Sequence, residues 1–323
     1  MADKLSVSKK YNGIVTFWAV TECGLGGLMH AFKMPFTGII VGSIATICLF
    51  LISKYSQNKS KSIIEATAIV VMIKLIVSPH SPWQAYVALL FQSSMAILFL
   101  TGKSINSFQS VLFAVINQVE SAVQKILIFI LIFGQSFFKS LDSSMHQVVG
   151  YFGMHLEVSL VYPMFIFYVF VHFIVGIILG TWLTKIEKQL AEIKINTEKL
   201  PEKGTLLLNN RYSFFIWVIG LVFTVILVYL VDSQKAIFVM LRVVLVTLVF
   251  IYLLTPVVKF LIKKVFRNTT NQASVSQILQ NLPLTLEHYN KYLTYANAQY
   301  TGVSKIKYFI LILIYASMQN DDK

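Results

Sequence analysis

The chain has 323 residues, 56% of them hydrophobic and only 13% charged, with a mean hydropathy of +0.71. That is about half the charge of a soluble domain. Several continuous apolar runs approach the ~20 residues that carry a helix across a bilayer, which excludes an ordinary soluble globule. The runs do not alternate, which argues against a membrane barrel.

The residues read as an all-α, polytopic transmembrane helical bundle of about eight spans, at 13–32, 35–53, 62–77, 83–101, 105–133, 157–183, 213–231 and 236–261. The net charge of +13 raises the question of nucleic acid, and its distribution answers it. With the N-terminus and C-terminus cytosolic, the outer loops hold only Lys33, Lys139 and Lys235. The inner segments hold Lys54, Lys59, Lys61, Lys103, Lys185, Lys188 and most of the remainder. This is the positive-inside bias, so lipid and topology account for the basicity and no nucleic-acid partner is expected. The start MADKLSVSKK does not read as a cleavable signal peptide, and a multi-pass protein of a bacterial inner (plasma) membrane is expected. Cys23 and Cys48 both fall inside spans and frame neither a disulfide nor a metal site.

Span one, 17-FWAVTECGLGGLMHAFKMPF-36, carries Ala19, Cys23, Gly27 and Ala31 at a strict four-residue step. Such a stripe of small residues lets another helix approach closely, either inside the fold or as a docking face for another subunit. Between spans three and four lies 74-KLIVSPHSPWQAY-86. Proline breaks the helix there, so Lys74 is expected to snorkel to the outer rim beside His80 and Trp83, or to pair with Glu120 across spans three and five. Tyr86 and Gln92 follow on span four.

Span five, 105-INSFQSVLFAVINQVESAVQKILIFILIF-133, places Ser110, Asn117, Gln118, Glu120, Ser121, Gln124 and Lys125 within about half the helix circumference at 100° per residue. Polar groups at membrane depth are costly, roughly 2.5–3.5 kcal/mol per charge. The face is therefore expected to line a cavity, or else to fix the fold by interhelical hydrogen bonds. The amphipathic stretch 134–155 is expected outside, as an interfacial helix or a lid.

Four domains are expected: 1–184, six spans; 185–210, a charged cytosolic helix and hinge; 211–267, two spans; and 268–323, a cytosolic or interfacial helical tail. In the tail, Leu279, Leu282, Leu286, Tyr289, Leu293 and Ala296 recur at helical spacing. The following IKYFILILIYASM is too short to span and is expected to dock on the protein or lie at the interface. GKS at 102–104 lacks the earlier glycine of a phosphate loop. The six histidines show no metal-ligand spacing. No catalytic residue, metal or cofactor is expected.

The six spans, the stripe Ala19, Cys23, Gly27 and Ala31, the polar fifth span and the glycine-spaced sixth, 172-HFIVGIILGTW-182, make residues 1–184 resemble the substrate-binding S components of energy-coupling factor (ECF) transporters. The resemblance implies a transmembrane coupling subunit docked on Ala19, Cys23 and Gly27, two cytosolic ATPases, and a small-molecule ligand approached by Asn117, Glu120, Gln124 and Lys125. From the residues themselves, the first reading is a small-molecule uptake protein with an outward-facing pocket. There Lys74, His80, Trp83, Tyr86, Gln92, Asn117, Glu120, Gln124 and Lys125 would contact a polar or zwitterionic ligand. The alternative is a non-transporting assembly protein whose polar intramembrane face meets partner subunits. A lipid-acting membrane enzyme using His80 and Glu120 is a third.

Overall fold

The computed structural model describes residues 2–31, 36–78, 81–151, 153, 158–193, 195, 200–201, 245, 248–257, 260, 264, 272–302 and 304–319. Its regular elements are all helical. They are α1 (Ala2–Cys23), α2 (Leu25–Ala31), α3 (Thr37–Lys54), α4 (Lys59–Val77), α5 (Trp83–Leu100), α6 (Ser107–Tyr151), α7 (Val161–Glu192), a short π-helical stretch (Val249–Leu254), α8 (Gln272–Gln299) and α9 (Ser304–Gln319). Expected span seven and the hinge at 202–210 lie outside the described residues, and of expected span eight only 245, 248–257 and 260 are described.

Among the described residues, four helices are long and apolar enough to cross a membrane: α3, α5, Ser107–Ile128 of α6, and α7. The expected first and third spans are not among them. α1 carries Lys9, Lys10 and Glu22, and α4 carries Lys61, Glu65 and Lys74, more charge than a lipid-facing helix of that length tolerates. Both are helices packed inside the bundle, with Trp18, Ile63, Ala66 and Val70 fully buried. Span one is also not continuous. It breaks at Gly24 into α1 and α2.

Helix α3 is the hub. It contacts α1, α2, α4, α5, α6 and α7, and Ile47, Cys48, Leu49, Leu51 and Ile52 on it are fully buried. Around it run α1, α4, α5, α6 and α7 in succession, and α9 closes the ring between α7 and α1. The docking expected for the short apolar C-terminal helix is what the structure shows. Leu311, Ile312, Ile314 and Ala316 are buried, and the backbone of Ser317 lies so close to Gly13 that any Cβ there would collide with it. Helix α8 adds Tyr289, whose ring meets Phe17 edge-on at 5.9 Å.

Local chemistry sets the helix ends. Asn58 accepts from Lys61 N–H at 3.2 Å and starts α4. Asn106 and Gln109 form a reciprocal capping box, at 2.8 and 3.1 Å, that starts α6. Buried hydroxyls fold back on their own helix, as Thr46 donates to the Gly42 carbonyl at 2.8 Å and Thr67 to Ile63 at 2.6 Å. That satisfies them without water.

The stretch after residue 133 is helical, one of the two forms expected for it: α6 resumes beyond a kink and runs to Tyr151. Its single break is Gly134, with φ 68° and ψ −176°, a conformation that side chains disfavour and glycine allows. Downstream, the Asp142 carboxylate accepts from the backbone N–H groups of Leu160 and Val161 at 2.7 and 3.3 Å. It thereby ties the end of α6 to the first turn of α7, where orphan donors need an acceptor.

Candidate functional site

The lysine at the end of α4 is fully buried and does not reach the rim. Lys74 Nζ donates to Glu22 Oε1 at 2.7 Å and approaches the Glu22 carbonyl at 3.4 Å. Two charges that would each be untenable alone satisfy one another between α1 and α4, where water is excluded. The expected pairing with Glu120 does not form. Beside the pair, Tyr86 of α5 is fully buried with its hydroxyl unpartnered, and Trp83 is half-buried at the first turn of α5. A Ser78–Ser81 hydroxyl contact of 2.9 Å spans the turn, whereas His80 lies outside the described residues.

The small-residue stripe is largely taken up inside the chain. Ala19 and Cys23 are buried in the main core, and a Cβ on Gly27 would sit 2.9 Å from the Ser78 hydroxyl. Ala31 ends α2. Ala19 and Cys23 thus face the interior, in helix α1 that packs on α4, and Gly27 of α2 abuts Ser78 just beyond the end of α4.

The polar face of α6 meets a second stripe, Gly38, Gly42 and Thr46 on α3, which spacing in TGIIVGSIAT (37–46) could have revealed as a small-residue motif. Without side chains at Gly38 and Gly42, polar groups from three helices reach the hub. Gln92 of α5 and Gln118 of α6 stand against Gly42, and Ser121 and His172 stand against Gly38. Gln118 Nε2 donates to Ser43 at 2.8 Å, and Asn117 Nδ2 makes a long contact of 3.4 Å with Thr46. Gln124 Nε2 donates to the Gln84 carbonyl at 3.1 Å. His172, absent from the expected set, is fully buried, with Nδ1 3.0 Å from the Gln118 carbonyl and its ring against Tyr168 at 4.7 Å. Its signal in the sequence is a lone histidine in mid-span. Lys125 is half-buried on α6. Most of the face expected to line a hollow therefore binds neighbouring helices instead.

Glu120 sits at the edge of that face, and its Oε2 is buried without a hydrogen-bond partner, as are Asn117 Oδ1, Gln118 Oε1 and His172 Nε2 behind it. Glu120 is one of the residues lining a shallow, open groove of about 460 Å³, with Phe91 of α5, Phe173 of α7, and Ile116, Val119 and Val123 of α6. Val119 and Phe173 also line a neighbouring groove of about 490 Å³ between α6 and α7, which is wholly apolar. Both open sideways from the bundle, where Ile166, Phe167, Phe170 and Ile178 form an exposed apolar face. Among the described residues no three His, Cys, Asp or Glu side chains cluster as a metal site. In comparison with known proteins, the chain matches no family model, no curated protein and no solved structure.

Proposed function

We propose that the chain is a membrane transport protein, a small-molecule uptake component of an inner membrane, that binds its solute at Glu120. One observation carries the reading: Glu120, with one carboxyl oxygen buried and without a partner, is among the residues that line an open groove of about 460 Å³. An unsatisfied carboxylate at this depth costs several kcal/mol, a cost that a bound solute offsets. The solute enters from the side of α6, and Asn117 and Gln124 hold α6 to α3 and α5 behind it. Eight spans with both termini cytosolic fit the charge distribution. Energy comes from partner ATPases with a coupling subunit, as the S-component resemblance implies, or from an ion gradient.

The test is native mass spectrometry of the detergent-purified chain. A small-molecule adduct present on the wild type and missing from Glu120→Gln, at equal folded yield, supports the site. An adduct unchanged by the substitution, or none on either protein, overturns it. The alternative, an assembly protein without substrate, is favoured by the hydrogen bonds that occupy Asn117, Gln118 and Gln124. It is supported instead if stoichiometric structural subunits co-purify and no small molecule does.

A further inference from the structure

Resting on the reading of Glu120 as a solute site, we infer that the groove takes a lipophilic organic cation that reaches it from the bilayer. Three features of the groove select this class. Among the described residues its only ionisable lining group is Glu120, and an ionised carboxylate offers acceptors alone. A neutral ligand without donors would leave Oε2 as it is, and an anion would be repelled. In a low-dielectric setting, an opposite charge is the partner that offsets the cost of burying a carboxylate.

The second feature is the pair of rings. Phe91 of α5 and Phe173 of α7 line the same groove as Glu120, and aromatic faces attract cations within about 6 Å, most strongly where water is excluded. The remaining lining, Val115, Ile116, Val119 and Val123, is aliphatic and suits an apolar body.

The third feature is the direction of opening. The groove faces outward from the ring of helices rather than toward the α3 hub, where Gln92, Gln118, Ser121 and His172 fill the space against Gly38 and Gly42. Val123 and Phe173 are each about two-fifths exposed, so the mouth lies on the apolar flank of the bundle. A hydrophilic solute would have to cross hydrocarbon to reach it, whereas a cation that partitions into the membrane arrives directly.

The experiment uses the full chain in phosphatidylcholine nanodiscs with two probes of matched shape and opposite charge, tetraphenylphosphonium and tetraphenylborate, measured by equilibrium dialysis against empty discs. The expected result is saturable binding of tetraphenylphosphonium to the wild type, no saturable binding of tetraphenylborate, and at least a tenfold weaker cation affinity in Glu120→Gln. Glu120→Asp, which keeps the charge, should retain the preference for the cation. Equal binding of both probes, or cation binding unchanged in Glu120→Gln, overturns the inference. If the cation fails to bind while a native adduct still depends on Glu120, the cation class is wrong and the solute site stands. If both fail, the site reading itself is refuted.

Discussion

Replacing Lys74 by methionine tests the least expected feature of the interior. At 2.7 Å and an effective dielectric near 20, the attraction between Lys74 and Glu22 is about 6 kcal/mol, most of it offset by the desolvation of both groups. The net worth of the pair is therefore small, but removing one partner strands the other. Glu22 is only 4% exposed, so Lys74→Met should cost about 3–5 kcal/mol, as breaking buried pairs does. The double variant Glu22→Leu with Lys74→Met removes both charges and should recover most of that loss. Thermal unfolding of the four proteins in one detergent, followed by tryptophan fluorescence and size exclusion, completes a double-mutant cycle. A single variant within about 1 kcal/mol of wild type, or a double variant no better than the singles, would refute the argument that the two groups pair in a water-free seam.

The ring closure predicts that Gly13→Ala, whose new methyl would meet the Ser317 backbone, releases α9 from α1, and limited proteolysis should then cut the 304–319 region faster than in wild type. On α7, a Cβ at Gly176 would lie 2.6 Å from Val115 Cα and one at Gly180 would collide with Val111. Gly180→Leu should therefore force α6 and α7 apart, at about 1–3 kcal/mol or more for overpacking, read as a lower unfolding temperature. Partial desolvation raises the pKa of Asp142, but hydrogen bonds from Leu160 N–H, Ser159 and Val161 N–H, with His146 nearby, outweigh it and hold the carboxyl below its ordinary range. A depressed carboxylate contributes stability above its unfolded pKa, about 3.9, and that contribution disappears as pH falls through the folded value. Amide exchange at Leu160 and Val161 should be flat from pH 7 to about 5, after correction for the intrinsic rate, and rise only below about 4. Asp142→Asn should raise it at pH 7.

Composition and periodicity identify the helices at 37–54 and 83–100 to within a few residues, and that at 161–192 except for its last nine residues, because a run of apolar residues has one economical solution in a bilayer. They also mark the polar face of the fifth span and the end of the fourth helix at the proline turn, and leave the last apolar helix either docked or interfacial. They do not decide what that polar face touches. Asn117 and Gln118 could look into water or onto another helix with the same 3.6-residue spacing, and the outcome depends on Gly38 and Gly42, some seventy residues earlier in the chain.

The partner of Lys74 was likewise open. Pairing Lys74 with Glu22 rather than Glu120 depends on α1, not α6, lying beside α4, and no local rule carries that information. The break at Gly24 and the bend at Gly134 rest on which turns the packing tolerates. The sequence by itself determined that this protein is an apolar helical membrane bundle with a costly set of buried polar groups, since that follows from transfer free energies residue by residue. Only the tertiary structure decided which of those groups satisfy one another and which atoms are left buried without a partner. Hydrogen bonds and ion pairs between helices are set by distances of about 3 Å, and those distances exist only once the helices have packed.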